Sequence, residues 1–270
     1  MSNAPIGVFD SGVGGLTVLE ALTSRLPHEH FIYLGDTARL PYGTKSPETV
    51  ARYSLQAAQA LAKYEVKCLV IACNTASSVG LPAITRQIDA PVIGVIEPGA
   101  QAACAASRSG NIAVIATEGT VRGGEYQRAI LRIRPDARVN AEPAQLFVAL
   151  AEEGLNEGPI ANDIATHYLK PMFDATEGAP DTLVLGCTHF PMLADAIRHA
   201  VGPIVQIVDP AQTTAASVDA QLRKSGLAGT QSAQGSVRLL ATDGRERFAR
   251  VGSRFLKRPI SPDEVELVDL

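Results

Sequence analysis

Short apolar runs alternate with helix-spaced stretches along nearly the whole chain, and this alternation restricts the fold more than any other feature. The runs fall at residues 6–9, 31–34, 67–72, 92–96, 111–116, 138–141, 181–185, 204–208 and 236–241. Most are continuous in Val, Ile, Leu and Ala. A strand that is apolar throughout is buried on both faces, as in a parallel sheet covered by helices. Residues 47–63 show how a covering helix is written, with Ser46 as N-cap and Pro47 at the first helical position. The expected class is α/β, with mostly parallel sheets flanked by helices.

A chain of 270 residues can bury a large core in one domain or two. Its 46% apolar content with few aromatics fits an Ala/Val/Ile/Leu-rich α/β protein. Breaks at Glu97-Pro98-Gly99 and Val208-Asp209-Pro210 mark expected crossings between two lobes. They divide the chain into an N-terminal lobe of residues 1–97 plus 208–270 and a second lobe of 98–207. The formal charge of −4 argues against a nucleic-acid surface, which needs a basic stripe. Arg128, Arg132, Arg134 and Arg138 form a local basic cluster, read as a solvated face. No basic start precedes an apolar stretch at the N-terminus, and no apolar run approaches about 18 residues. The expectation is a cytoplasmic protein that does not engage a membrane. Cys68, Cys73, Cys104 and Cys187 include no C-x-x-C pair, so free thiols are expected and a zinc site is not.

Two of these cysteines hold matching places. Cys73-Asn74-Thr75-Ala76 follows the run 68–72, and Gly186-Cys187-Thr188-His189-Phe190-Pro191 follows 183–185. They lie 114 residues apart, about half the chain. Two thiols at equivalent strand ends suggest an acid/base pair across a cleft, suited to inversion at a carbon. Ligands of open α/β sheets bind at that edge, and the helix start after Cys73 is expected to lower its pKa. Asn74 and Thr75 can donate to a carboxylate there. The alternative for Cys73 is a buried structural thiol, which is the preferred reading of Cys68 and Cys104. His189 can polarise Cys187, bind substrate or cap the next helix. His28, His30, His167 and His199 read as surface residues.

Asp10-Ser11-Gly12-Val13-Gly14-Gly15 follows the first run. Gly12-Val13-Gly14, with Asp36 farther on, partly matches a dinucleotide fingerprint, but Thr17 occupies its third glycine position. No Gly-Lys-Ser/Thr occurs, which excludes a P-loop. Asp10 can instead tune a thiol, bind an ammonium group or cap the following helix. Leu40-Pro41-Tyr42-Gly43 forms a turn whose Tyr42 amide is able to face the cleft. Thr117 and Thr120 follow the strand at 112–116 and can bind an anion or cap a helix.

Taken together, these segments resemble the glutamate racemases, cofactor-independent members of the aspartate/glutamate racemase superfamily. Asp10 to Leu16, Pro41-Tyr42-Gly43-Thr44, Cys73 to Ala76, Ile93 to Gly99, Ala116-Thr117 with Gly119-Thr120-Val121, and Gly186 to Pro191 carry the likeness in family order. The resemblance implies two α/β lobes with the active site between them and no cofactor. It implies Cys73 and Cys187 as bases on opposite faces of the α-carbon, serving D- and L-glutamate respectively. Asp10 is implied as the partner of Cys73, His189 as that of Cys187, and Glu152 as an auxiliary acid near the second thiol. Asp10, Ser11, Pro41, Tyr42, Gly43, Asn74, Thr75, Thr117, Thr120, Thr188 and His189 are implied as substrate-binding. The implied partners are glutamate and a second copy of the chain in a homodimer, with D-glutamate feeding peptidoglycan synthesis. Residues 144–149 and 121–126 depart from the family pattern, and the stretch after Leu222 matches least. The competing readings are a racemase of aspartate or a hydantoin, a non-catalytic binding protein on the same fold, and a nicotinamide-dependent dehydrogenase.

Overall fold

The computed structural model describes residues 3–174, 178–229 and 233–270. Among them the chain runs β1 (Ile6–Asp10), α1 (Leu16–Arg25), β2 (Phe31–Gly35), α2 (Pro47–Ala62), β3 (Cys68–Ile71), α3 (Asn74–Gln87), β4 (Val92–Gly94) and α4 (Ile96–Ala106). It continues through β5 (Asn111–Ala116), α5 (Glu118–Gly123), α6 (Glu125–Ile133), β6 (Arg138–Pro143), α7 (Leu146–Glu153), α8 (Pro159–Phe173), β7 (Thr182–Gly186), α9 (Ala194–Val201) and β8 (Gln206–Val208). It closes with α10 (Pro210–Lys224), β9 (Val237–Ala241), α11 (Arg245–Phe255) and β10 (Val265–Leu267). Every strand pairing is parallel.

The strands divide into two sheets, ordered β10-β9-β2-β1-β3-β4 and β6-β5-β7-β8. The order β2-β1-β3-β4 is therefore repeated as β6-β5-β7-β8, and β9 and β10 extend only the first sheet. This repeat is the physical basis of the matched cysteines, because each follows the third strand of its unit. The α/β expectation holds, and each of the nine expected strands is present within a residue or two at its ends. The largest shortfalls are the run 92–96, whose Ile96 opens α4, and the run 204–208, which is paired only from Gln206. β6 departs from the doubly buried pattern, being an exposed edge strand. The short β10 carries too little apolar pattern to stand out in the sequence.

The two breaks fall on helix starts. Glu97-Pro98-Gly99 lies in the first turn of α4, which crosses from the first sheet to the second. Asp209 accepts from the Ala211 amide at 2.8 Å and N-caps α10, the return crossing, with Pro210 at its first position. Ser46 caps α2 as its sequence indicates. One buried apolar cluster joins Val8 and Tyr33 of the first sheet to Ile115 and Leu185 of the second through Leu19 and Val218 of the helices between. The sheets' carboxyl ends thus sit on a common packed base. No helix among the described residues is long and apolar enough to cross a membrane.

Candidate active site

Four strand ends converge on one cavity. Asp10 closes β1, Cys73 lies just beyond β3, Thr117 follows β5 and Cys187 follows β7, and all four line it. The empty space there, counted with its open mouth, is about 480 Å³. Ser11, Pro41, Tyr42, Gly43, Asn74, Thr75, Glu152, Thr188 and His189 also line it, whereas Thr120 does not. Thr120 is instead turned into a triangle of hydroxyls, 3.1 Å from Thr75 and 3.0 Å from Thr117, that ties α3 to the loop after β5. The Tyr126 hydroxyl adds a second tie by donating to Asn74 Oδ1 at 2.7 Å. Close approach is also built into the glycines. A Cβ on Gly43 would stand 2.7 Å from that of Thr117.

Cys73 is the N-cap of α3, and its Sγ accepts from the Ala76 amide at 3.4 Å while its S–H faces Ser11 Oγ at 3.7 Å. The expected lowering of its pKa does not occur. Burial, reinforced by the nearby Asp10 carboxylate, pushes the thiol up to about 12. A single amide and one hydroxyl do not offset that combination. Burial also raises the Asp10 carboxyl, against the opposing charge of His189 and the amides of Gly12, Gly15 and Ser11. Asp10 accepts from the Gly12 amide at 2.9 Å, and the N-cap of α1 is Gly15, with no side-chain capping bond, so Asp10 is not the cap of that helix.

The other thiol has different company. Cys187 Sγ lies 3.8 Å from His189 Nδ1, and His189 Nε2 lies 3.1 Å from Glu152 Oε1. Burial by itself would discharge the ring, but its bonds to Cys187 and Glu152 prevail and raise His189 to about 10. A charged imidazole donates from both nitrogens, toward sulfur on one side and carboxylate on the other. Its bond to His189 holds the Glu152 carboxyl below the usual range, against burial. The ring packs edge-on against Phe255, and a Cβ on Gly14 would stand 2.4 Å from it, so only glycine fits there. His189 makes no capping bond to the following helical turn.

Asp36, the acid of the partial dinucleotide fingerprint, is engaged elsewhere. It accepts from the Tyr42 hydroxyl, from Arg39 Nε at 2.7 Å and from Thr242 at 3.0 Å. A ribose would find no free carboxylate oxygen there. Cys68 is buried inside β3 and Cys104 is half-buried on α4, both away from the cavity. Of the arginine cluster, Arg128 pairs with Glu125 at 2.9 Å and Arg132 with Glu97 at 2.5 Å, as on a solvated face. Among the described residues no group of three or more His, Cys, Asp or Glu side chains is arranged to hold a metal ion.

Gly12, Leu40, Gln145 and Val148 line the cavity as well and were not anticipated. Gln145, Val148 and Glu152 are spaced i, i+3, i+7 and so share one face of α7 and its N-cap. That spacing is legible once α7 is located, but its flank departs from the family pattern. The Gln145 Oε1 is buried with no hydrogen-bond partner among the described residues.

A family model described as Asp/Glu/hydantoin racemase matches residues 10–218. A glutamate racemase of Geobacter metallireducens is 50% identical over 251 residues, 93% of this chain and 92% of that protein. The crystal structure of a glutamate racemase isoform from Bacillus anthracis superposes with a TM-score of 0.94 at 34% identity, over 100% of this chain and 99% of that one. A Francisella tularensis glutamate racemase solved with D-glutamate gives 0.91 at 35% identity, over 100% and 98%.

Proposed function

Because the chain belongs to the Asp/Glu/hydantoin racemase family, we propose that it interconverts L- and D-glutamate without a cofactor, using Cys73 and Cys187 as paired acid and base. The observation that carries this reading is the unequal setting of two thiols on one cavity: Cys73 held up at about 12 and Cys187 beside a charged His189. In the L-to-D direction the Cys187 thiolate takes the α-proton, breaking Cα–H and forming S–H. The Cys73 thiol gives its proton to the opposite face, breaking S–H and forming the new Cα–H. In the reverse direction the roles exchange. An α-ammonium bound near Asp10 would bring a positive charge close to Cys73 and ease formation of its thiolate.

The developing carbanion pushes charge into the α-carboxylate, which needs donors that strengthen as that charge grows. Ser11, Tyr42, Gly43, Asn74, Thr75, Thr117 and Thr188 are the groups we assign to the substrate, with Pro41 shaping the turn and Thr120 acting through the hydroxyl triangle. The α3 N-terminus adds its dipole. Glutamate is favoured over aspartate because close relatives at 41–50% identity are glutamate racemases, and the Francisella neighbour was solved with D-glutamate. An aspartate racemase of Picrophilus torridus and an aspartate racemase homologue of Pyrococcus horikoshii, at 16–18% identity, share the fold alone. We place the enzyme in the cytoplasm as a homodimer supplying D-glutamate for peptidoglycan. Its lobes are 1–97 with 208–270, and 98–207.

The test is the optical signal of L-glutamate incubated with purified protein, without pyridoxal phosphate or metal. Wild type abolishes the signal, and Cys73→Ala and Cys187→Ala leave it intact. Turnover of aspartate but not glutamate would overturn the substrate, and turnover of neither would return the binding-protein reading.

A further inference from the structure

The chain of polar contacts behind Cys187 does not end at Glu152. Each oxygen of that carboxylate has its own partner: Oε1 faces His189 Nε2 at 3.1 Å, and Oε2 accepts from Arg247 Nη2 at 2.7 Å. Arg247 lies on α11, which follows a strand of the six-stranded sheet, whereas Glu152 lies on α7, beside the four-stranded one. A second arginine of α11 grips the same residue. Arg254 Nη1 donates to the Glu152 carbonyl at 3.1 Å, one of the last carbonyls of α7, which have no partner within their own helix. The two arginines are seven residues apart, two helical turns, and so project from one face of α11.

We infer that Arg247 is a positioning residue for the reaction: it holds the Glu152 carboxylate in the orientation that meets His189, and through Glu152 it sets the alignment of the His189 ring on Cys187. The inference rests on the reading of Cys187 as a reacting thiol. The physical reason is the freedom of the glutamate side chain. Glu152 is mostly buried, but its Oε2 points toward the half-exposed Arg247. With that arginine removed, Oε2 has only water to satisfy it, and a long flexible side chain gains rotamers by turning outward. Arg254 fixes the backbone of α7 and cannot replace this constraint on the carboxylate.

Five variants test it. Arg247→Ala is expected to lower kcat about 10- to 100-fold, the cost of a slightly misplaced reacting group, with KM for glutamate near the wild-type value. Because the two enantiomers have equal free energy, kcat/KM falls by one factor in both directions. Arg247→Lys, which keeps the charge and a donor, restores most of the rate. Glu152→Gln is slow, and Arg247→Ala combined with Glu152→Gln is no slower than Glu152→Gln alone, because the arginine acts through that carboxylate. Arg250→Ala, an exposed neighbour on α11, keeps the wild-type rate. A second readout needs no turnover: the ¹⁵N signals of His189 in the folded protein should change in Arg247→Ala and return in Arg247→Lys. Wild-type rate in Arg247→Ala, or multiplied losses in the double variant, would overturn the inference. So would His189 signals indifferent to Arg247. If the wild type leaves glutamate untouched while the His189 signals respond to Arg247, the substrate reading fails and the positioning role stands.

Discussion

The two thiols occupy equivalent places in repeated four-strand units, yet their surroundings are opposite. Cys73 faces a buried acid, a serine hydroxyl and one amide, with no cation bonded to it among the described residues. Cys187 stands at the head of a line that runs through His189 and Glu152 to Arg247 at the surface. The repeat therefore supplies symmetry of position, and the local side chains supply asymmetry of charge. A racemase needs both. The bases must lie on opposite sides of one carbon, and in any productive state one must be thiolate while the other is thiol.

The largest expected effects come from the thiols themselves. Cys73→Ala and Cys187→Ala each lower racemisation by at least about 10³-fold, near the upper part of the range for losing a general acid or base. In D₂O the comparison sharpens. Cys73→Ala retains the base for L-glutamate and can exchange only that enantiomer's α-hydrogen, and Cys187→Ala only that of D-glutamate. Proton NMR of the α-position reads this directly. A variant that exchanges both enantiomers would break the assignment of one thiol to each face.

The asymmetry of charge also predicts separate alkaline losses of stability. His189 is raised from 6.5 to about 10, so its contribution is complete below pH 6.5 and is lost as pH rises through 10. Cys73 is raised from 9.0 to about 12, so its contribution is lost in a later window, from pH 9.0 upward through 12. Thermal melts across pH should show the first slope flattened in His189→Asn and kept in Cys73→Ala. The same His189→Asn substitution should slow turnover about 10²-fold, the lower end for a lost acid–base partner. A first slope unchanged by His189→Asn would mean that the charge sits elsewhere.

How much of this contrast could be read without coordinates depends on distance along the chain. Both cysteines, Asp10, Thr117 and the threonine-rich helix starts were legible because each follows its own apolar strand, and strand ends in parallel sheets gather at one edge. The charge on His189 was not legible, because it depends on Glu152, which lies 37 residues away in sequence on another helix. The rise of the Cys73 thiol was read with the wrong sign. The helix start argued for lowering, while the opposing contributions come from burial and from Asp10 on a neighbouring strand, terms that exist only after folding. Arg247 lay in the stretch with least family likeness, and its role appears only when α11 is seen against α7. The segments 97–99 and 208–210 read as breaks in the sequence, and in the structure they are helix starts.

A smaller effect concerns the fit of the glycine loop to the Cys187 side. Gly14→Ala places a methyl 2.4 Å from the His189 ring, where no flexible side-chain end can yield. Such overpacking costs about 1–3 kcal/mol, read as a lowered midpoint in urea, with a loss of kcat as the ring is displaced from Cys187. The neighbouring Gly12, whose Cβ would meet only Leu40 at 3.5 Å, should tolerate alanine with little change in stability. Equal penalties at both glycines would mean that the loop, and not the ring, sets the tolerance.

The smallest effect tests whether the asymmetry extends to substrate binding. Gln145 shares its helix face with Glu152, and its buried Oε1 has no donor among the described residues. An unsatisfied buried carbonyl costs about 1–3 kcal/mol, so an apolar residue of similar volume should fold more stably. Gln145→Leu is expected to raise the melting temperature by a few degrees. If that oxygen accepts from the substrate ammonium, KM for glutamate rises while kcat is nearly kept, because the bond is the same in ground and transition states. A stability gain with unchanged KM would confine ammonium recognition to the Asp10 side. The Cys187 half would then handle only protons, and the division of labour between the two halves would be sharper than their shared architecture suggests.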